Sequence, residues 1–159
     1  MRVVLASDHA GYAMKKELAP YITSLGHEVT DIGTYSSESV HYPMYGRLAA
    51  EKVATGDADR AILVCGTGIG ISLAANSVQG IRCVNCTEPY TALLSRQHNN
   101  TNAIALGGRV IGIEMAKMII ETWLAANFEG GQRHTMRVDM LTAMSDKPVP
   151  GAYSALEIS

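Results

Sequence analysis

The segment Ile62-Leu63-Val64-Cys65-Gly66-Thr67-Gly68-Ile69-Gly70-Ile71-Ser72 decides how the rest of the chain is read. An apolar run with the character of a buried strand ends in a cysteine. Glycines follow at every second position, and helical character then begins. A strand–turn–helix junction of this kind aims several backbone N–H groups, and the positive end of a helix dipole, at whatever sits beside the sulfur. The same dipole favours thiolate, so Cys65 is a candidate base or nucleophile beside an anion hole. A cysteine at a strand end is also an ordinary packing residue. The glycine turn behind it is what sets the chemical reading against the packing one.

Outward from this junction, strand and helix signals alternate. Val3–Ser7 is an apolar run closed by Asp8-His9-Ala10-Gly11. Met14, Leu18, Ile22 and Leu25 then recur at helical spacing up to Gly26. Glu28–Ile32 reads as a second strand and the polar stretch from Thr34 to His41 as a loop. Pro43 suits the first turn of a helix reaching Thr55. After the Ala61–Val64 strand and a helix to Asn76, Ile81–Cys86 is predicted as strand and Pro89–Arg96 as helix. Ala103–Leu106 gives a fifth strand, Val110–Ala126 a long amphipathic helix, and Arg133–Met144 a last helix beyond Gly130-Gly131. Parallel strands need crossover connections, so this alternation predicts an α/β fold. The expected architecture is a doubly wound five-stranded parallel sheet in three α/β/α layers, with an extra C-terminal helix. Residues 1–144 are expected to form one domain and 145–159 a tail.

Composition narrows the class. The 159 residues are 47% hydrophobic and 18% charged, with a formal net charge of −2 and no basic or acidic block. That balance suits a soluble globule and gives no push toward nucleic acid or a membrane surface. The first apolar stretch is too short for a signal peptide, and no run approaches the ~20 residues that span a bilayer. Three cysteines, an odd number, suit a reducing compartment, and the chain is read as cytoplasmic.

In a doubly wound sheet, ligands bind beyond the carboxyl ends of the strands. Asp8 and His9 follow strand one there, and Cys65 and Thr67 follow strand three. His98, Asn99 and Asn100 are placed in the loop before strand five, with Arg109 after it. Arg133 and Arg137 lie four apart on one helix face and would clamp a phosphate or carboxylate. A thiol, an anion hole, histidines, an aspartate and arginines together suit proton transfer on a small phosphorylated substrate. The blander alternatives stay open: Asp8-His9 as a helix cap, His98 as a solvent-facing histidine, and the arginines as solvated charges. Cys83-x-x-Cys86 has the spacing of half a metal site, but residues i and i+3 of a strand face opposite ways, so no metal is assigned. Gly66-x-Gly68-x-Gly70 is not a dinucleotide fingerprint, because Ile71 stands where the third glycine belongs. Glu88, about 20 residues on, imitates its acidic partner and keeps a nicotinamide-binding oxidoreductase as a weaker third reading. No Gly-Lys-Ser/Thr follows the turn, which makes a phosphate-loop NTPase weaker still.

Several motifs in order resemble one family. They are Ser7-Asp8-His9-Ala10-Gly11, Asp31-Ile32-Gly33-Thr34, Cys65 through Ser72, Ala75-Asn76, Gly80-Ile81-Arg82, Ser95-Arg96-Gln97-His98-Asn99-Asn100, Gly108-Arg109-Val110 and Glu129-Gly130-Gly131 with the Arg133/Arg137 pair. Over roughly residues 3–142 they are similar to ribose-5-phosphate isomerase type B, a family that also holds allose-6-phosphate and galactose-6-phosphate isomerases. The resemblance implies a Rossmann-like/flavodoxin-like sheet and an aldose–ketose isomerase that works without metal or cofactor through a cis-enediolate. It implies Cys65 as the proton shuttle and Gly66, Thr67, Gly68, Ile69 and Gly70 as the enediolate cradle. His98, with Asp8 and Thr67, would open the sugar ring, while Tyr42 and Asn99 face the sugar. His9, Arg109, Arg133 and Arg137 would hold the phosphate. It also implies a homodimer, or a dimer of dimers, with sites between subunits. Three departures bear on substrate length: His41 and Met44 replace acidic residues around Tyr42-Pro43, and Gln132 is an extra residue before Arg133. An allose 6-phosphate or tetrose 4-phosphate isomerase, or a non-catalytic sugar-phosphate-binding module, are the alternatives.

Overall fold

The computed structural model describes residues 1–145, and the 145–159 tail lies outside the described residues from position 146 onward. The elements run β1 (Arg2–Ser7), α1 (Tyr12–Ser24), β2 (Glu28–Asp31), α2 (Tyr42–Ala54), β3 (Arg60–Cys65) and α3 (Ile69–Asn76). Then follow β4 (Cys83–Asn85), α4 (Pro89–Asn99), β5 (Ala103–Gly107), α5 (Ile113–Ala125) and α6 (Gln132–Ser145). All strand pairs are parallel, in the order β2-β1-β3-β5-β4. This is the doubly wound sheet the alternation implies, with the order reversing between β1 and β3.

Strand side chains alternate between two cores, as a pleated sheet covered on both faces requires. Val3, Leu5, Ile62, Val64, Ile104 and Leu106 pack toward α1, α4 and α5. Val4, Ala6, Ala61, Leu63, Cys65, Ala103 and Ala105 pack toward α2 and α3. The second face is lined by smaller side chains, and α2 approaches α3 closely. A Cβ on Gly46 would stand 2.8 Å from the Ile71 carbonyl oxygen. Cys65 is therefore the last inward residue of a central strand, on the α2/α3 side of the sheet.

The largest departures from the expected element bounds are in β4, α5 and α4, each for a local reason. Strand β4 has three residues, because side chains take over its hydrogen bonds: the Asn76 carboxamide brackets Cys83, donating to its carbonyl and accepting from its N–H. The Asn102 side chain likewise accepts from Arg82 N–H. Blunting of this kind is usual at a sheet edge. Helix α5 begins at Ile113, since Val110 and Ile111 both donate to the Gly107 carbonyl in a turn. Helix α4 starts with Glu88 accepting from Tyr90 and Thr91 N–H and continues past Arg96 to Asn99. It closes on Asn100 in the left-handed region (φ 48°), which asparagine tolerates.

Candidate active site

The carboxyl end of β3 assembles one group of residues. The Gly68 N–H donates to Cys65 Sγ at 3.1 Å, and such a donor stabilises negative charge on sulfur. Gly68 has φ +79°, and a Cβ there would stand 2.3 Å from Asn85 Oδ1, so only glycine fits. Thr67 is held from two sides: its Oγ1 accepts from Ile69 N–H, and its carbonyl accepts from the Asn85 side chain. The Tyr42 ring lies over Gly70, 2.6 Å from where a Cβ would be. The turn Gly66–Gly70 thus presents backbone at its three glycines, with the Tyr42 ring against Gly70 and the Ile69 side chain exposed.

The loop after β1 adjoins it. Asp8 N–H donates to the Val64 carbonyl, and Gly108 N–H and Arg109 N–H donate to Cys65 and Gly66 carbonyls. These three bonds stitch the loops after β1 and β5 to the one after β3. Asp8 is buried, and its Oδ1 accepts from Ala10 and Gly11 N–H at 2.9 and 3.0 Å. Asp8 thus accepts backbone N–H bonds as the capping reading expected, but within the turn ahead of α1: the helix's own N-cap is Gly11, which has no side-chain cap bond, and both Asp8 bonds fall on one oxygen. His9 Nδ1 accepts from Val40 N–H, which leaves Nε2–H as the donor of a neutral ring. The Arg109 side chain lies alongside Gly66. Asp8, His9, Tyr42, Cys65, Gly66, Thr67, Gly68, Ile69, Gly70 and Arg109 share this end of the sheet.

His98, Asn99, Arg133 and Arg137 do not. The sequence reading placed His98 and Asn99 beyond the carboxyl ends of the strands, in a loop. They instead form the last turn of α4, which runs back against the strands and ends before β5 begins. Cys65 pairs with Gly107 at the far end of β5. The length of that strand, on the order of 15 Å, therefore separates the two ends within one chain. Arg133 and Arg137 accompany His98, because α6 packs on α4: His134 stacks on His98, and Glu129 N–H donates to the Gln97 carbonyl. The two groups of residues stand at opposite ends of the strands.

The sequence reading gave no site role to Asn85, Glu129 or His134, Glu129 entering only within the Glu129-Gly130-Gly131 motif. Asn85 was read only as part of a strand. The His134/Val138 pair at i, i+4 on α6 carried a usable signal, since those are the residues the helix buries. The cysteines sort by face as expected, with Cys83 packed against the α2/α3 core and Cys86 in the other. Burial pushes the Cys83 thiol up to about 12 and also raises Cys86. Both stay protonated at neutral pH, so brief iodoacetamide treatment of the native protein is expected to alkylate Cys65 first, as peptide mass mapping would record. Labelling of Cys83 or Cys86 ahead of Cys65 would contradict the order.

The chain has clear relatives among known proteins. Residues 3–141 match the family described as Ribose/Galactose Isomerase. Ribose-5-phosphate isomerase B of Escherichia coli (strain K12) is 50% identical over 146 residues, covering 92% of this chain and 97% of that protein. The Clostridium thermocellum ribose-5-phosphate isomerase B structure superposes with a TM-score of 0.89 at 49% identity, covering 91% of this chain and 97% of that one. That of Mycoplasma genitalium, with bound ribulose-5-phosphate, has a TM-score of 0.87 at 36% identity and covers 92% and 97%. Such likeness over nearly the whole length defines an aldose–ketose isomerase of sugar phosphates. The chain belongs to the ribose/galactose isomerase family. Among the described residues no helix is long and apolar enough to cross a membrane.

Proposed function

We propose that the chain interconverts ribose 5-phosphate and ribulose 5-phosphate through a cis-enediolate, with Cys65 as the base. The observation that carries this is the Cys65 sulfur held by the Gly68 N–H where β3 passes into the glycine turn. His98 opens the furanose: the proton on the anomeric O1 is taken, the bond from C1 to the ring oxygen breaks, and that oxygen is protonated. Asp8 and Thr67 assist at this step. The Cys65 thiolate then removes the C2 proton and returns it to C1, while the hydroxyl proton passes from O2 to O1. Backbone N–H groups of Gly66–Gly70 hold the enediolate oxygen, a role that typically supplies about 3 kcal/mol per donor. Tyr42 and Asn99 face the sugar.

His9, Arg109, Arg133 and Arg137 bind the phosphate, whose binding energy is realised far from the reacting carbons. Since one chain keeps His98 and Cys65 at opposite ends of the strands, the working site takes His98, Arg133 and Arg137 from a second copy. The functional unit is thus a homodimer or a dimer of dimers, working in the cytoplasm. No step calls for a metal or cofactor.

Proton NMR of the protein with ribose 5-phosphate in D2O tests the reading. Ribulose 5-phosphate is expected to form with deuterium at C1, and recovered ribose 5-phosphate to carry deuterium at C2. His41 and Met44 beside Tyr42, together with Gln132, favour one second reading, a sugar phosphate of another length. Allose 6-phosphate or erythrose 4-phosphate turning over where ribose 5-phosphate does not would establish it. Binding without exchange on any of the three would leave a binding module.

A further inference from the structure

Two imidazoles lie face to face where α6 meets α4. The ring centroids of His98 and His134 are 4.3 Å apart, and their planes differ by 5°. His134 is 9% exposed, while Arg133 and Arg137 on the same helix are exposed. Glu129 Oε2 stands 3.9 Å from His98 Nε2. By residue type the three side chains suit a divalent metal, since one ligand atom from each lies within 4.8 Å of the others. The stack argues against that use. Imidazole lone pairs lie in the ring plane, and two parallel planes share no point at which an ion would sit.

A planar ring packed flat on another fixes its neighbour's orientation instead. Burial first, and then the charges of His98, Arg133 and Arg137, lower the pKa of His134 from its ordinary value, with Glu129 opposing. His134 is accordingly an uncharged plate at neutral pH. We propose that His134 is a positioning residue, whose ring, stacked on His98, holds the His98 imidazole in the plane needed to open the sugar. The inference rests on the reading of His98 as the ring-opening residue. His134 itself touches no substrate in this account.

Ring opening can be read apart from isomerisation. The α and β furanose forms of ribose 5-phosphate interconvert through the open chain, so enzyme-catalysed anomer exchange in a Cys65→Ala background reports opening without C2 proton transfer. Exchange NMR measures it. Adding His134→Phe keeps a planar ring and is expected to hold the exchange rate within about 3-fold, whereas His134→Leu, which fills the space without a plane, loses at least about 10-fold. His134→Met serves as a second non-planar side chain should the leucine variant not fold, and melting temperatures of all variants report folding. Full exchange with leucine or methionine, or a folded phenylalanine variant as slow as leucine, overturns the proposal. Exchange that survives His98→Ala removes the reading of His98, and this proposal with it. Exchange lost with His98→Ala but untouched by His134→Leu removes the proposal alone.

Discussion

Cys65→Ala is expected to lower kcat by about 10³-fold while KM for ribose 5-phosphate stays within a few-fold. The asymmetry follows from what the sulfur touches. Among the described residues its hydrogen bond comes from the Gly68 N–H, within the turn itself, so removing it leaves the rest of the turn standing. Gly108 N–H still bonds the Cys65 carbonyl, and Arg109 N–H still bonds that of Gly66. The side chain is nearly buried at 4% exposure, and alanine fills most of its volume. On the proposed mechanism, what disappears is the group that carries a proton between C2 and C1, a loss confined to the transition state. Steady-state kinetics with deuterium exchange at C2 checks it. A variant with ordinary kcat and ordinary exchange would remove Cys65 as the base.

Mixing two inactive variants gives the second large effect. Cys65→Ala and His98→Ala proteins, each nearly dead alone, are expected to regain about a quarter of wild-type activity after equal mixing and subunit exchange. Half of the re-formed dimers are hybrids, and each hybrid has one site with both residues intact. The geometry behind this is the run of α4 back along the sheet, which sets His98 a full strand length from Cys65. A site contained within one chain would show no recovery, so an inactive mixture with exchange verified by mass labelling would refute the shared site.

Much of this fold is legible in the sequence because the apolar pattern is strong. The β1, β3 and β5 runs are buried on both faces, and each is bounded by glycine or aspartate, so strand identity needs no tertiary information. The cradle is legible for the same reason, since the glycine spacing after Cys65 has no use in a regular element. His98 was misplaced because Gln97-His98-Asn99-Asn100 is polar and reads as a loop. Locally the helix persists to Asn99, where the Arg96 guanidinium bonds the Asn100 side chain and the Thr101 carbonyl and so closes the helix end. Burial of an arginine at 3% exposure is a tertiary event that propensity does not announce. His134 escaped notice because a histidine between two arginines looks like part of a charged face. Only the packing of α6 on α4 turns it inward.

Helix α6 buries just His134 and Val138, and it carries the two arginines on a part of the chain that β3 and its glycine turn do not depend on. On the proposed roles, the proton-moving thiol and the phosphate-holding arginines consequently sit on parts of the chain that can vary separately. An α-helix advances 1.5 Å per residue, about the length of one carbon–carbon bond. On the proposed assignment, moving Arg133 and Arg137 by one residue along α6 would shift the phosphate grip by about one carbon of sugar. The same sheet and thiol would then serve shorter or longer phosphates by adjusting a peripheral helix, with no change at the atom proposed to move the proton.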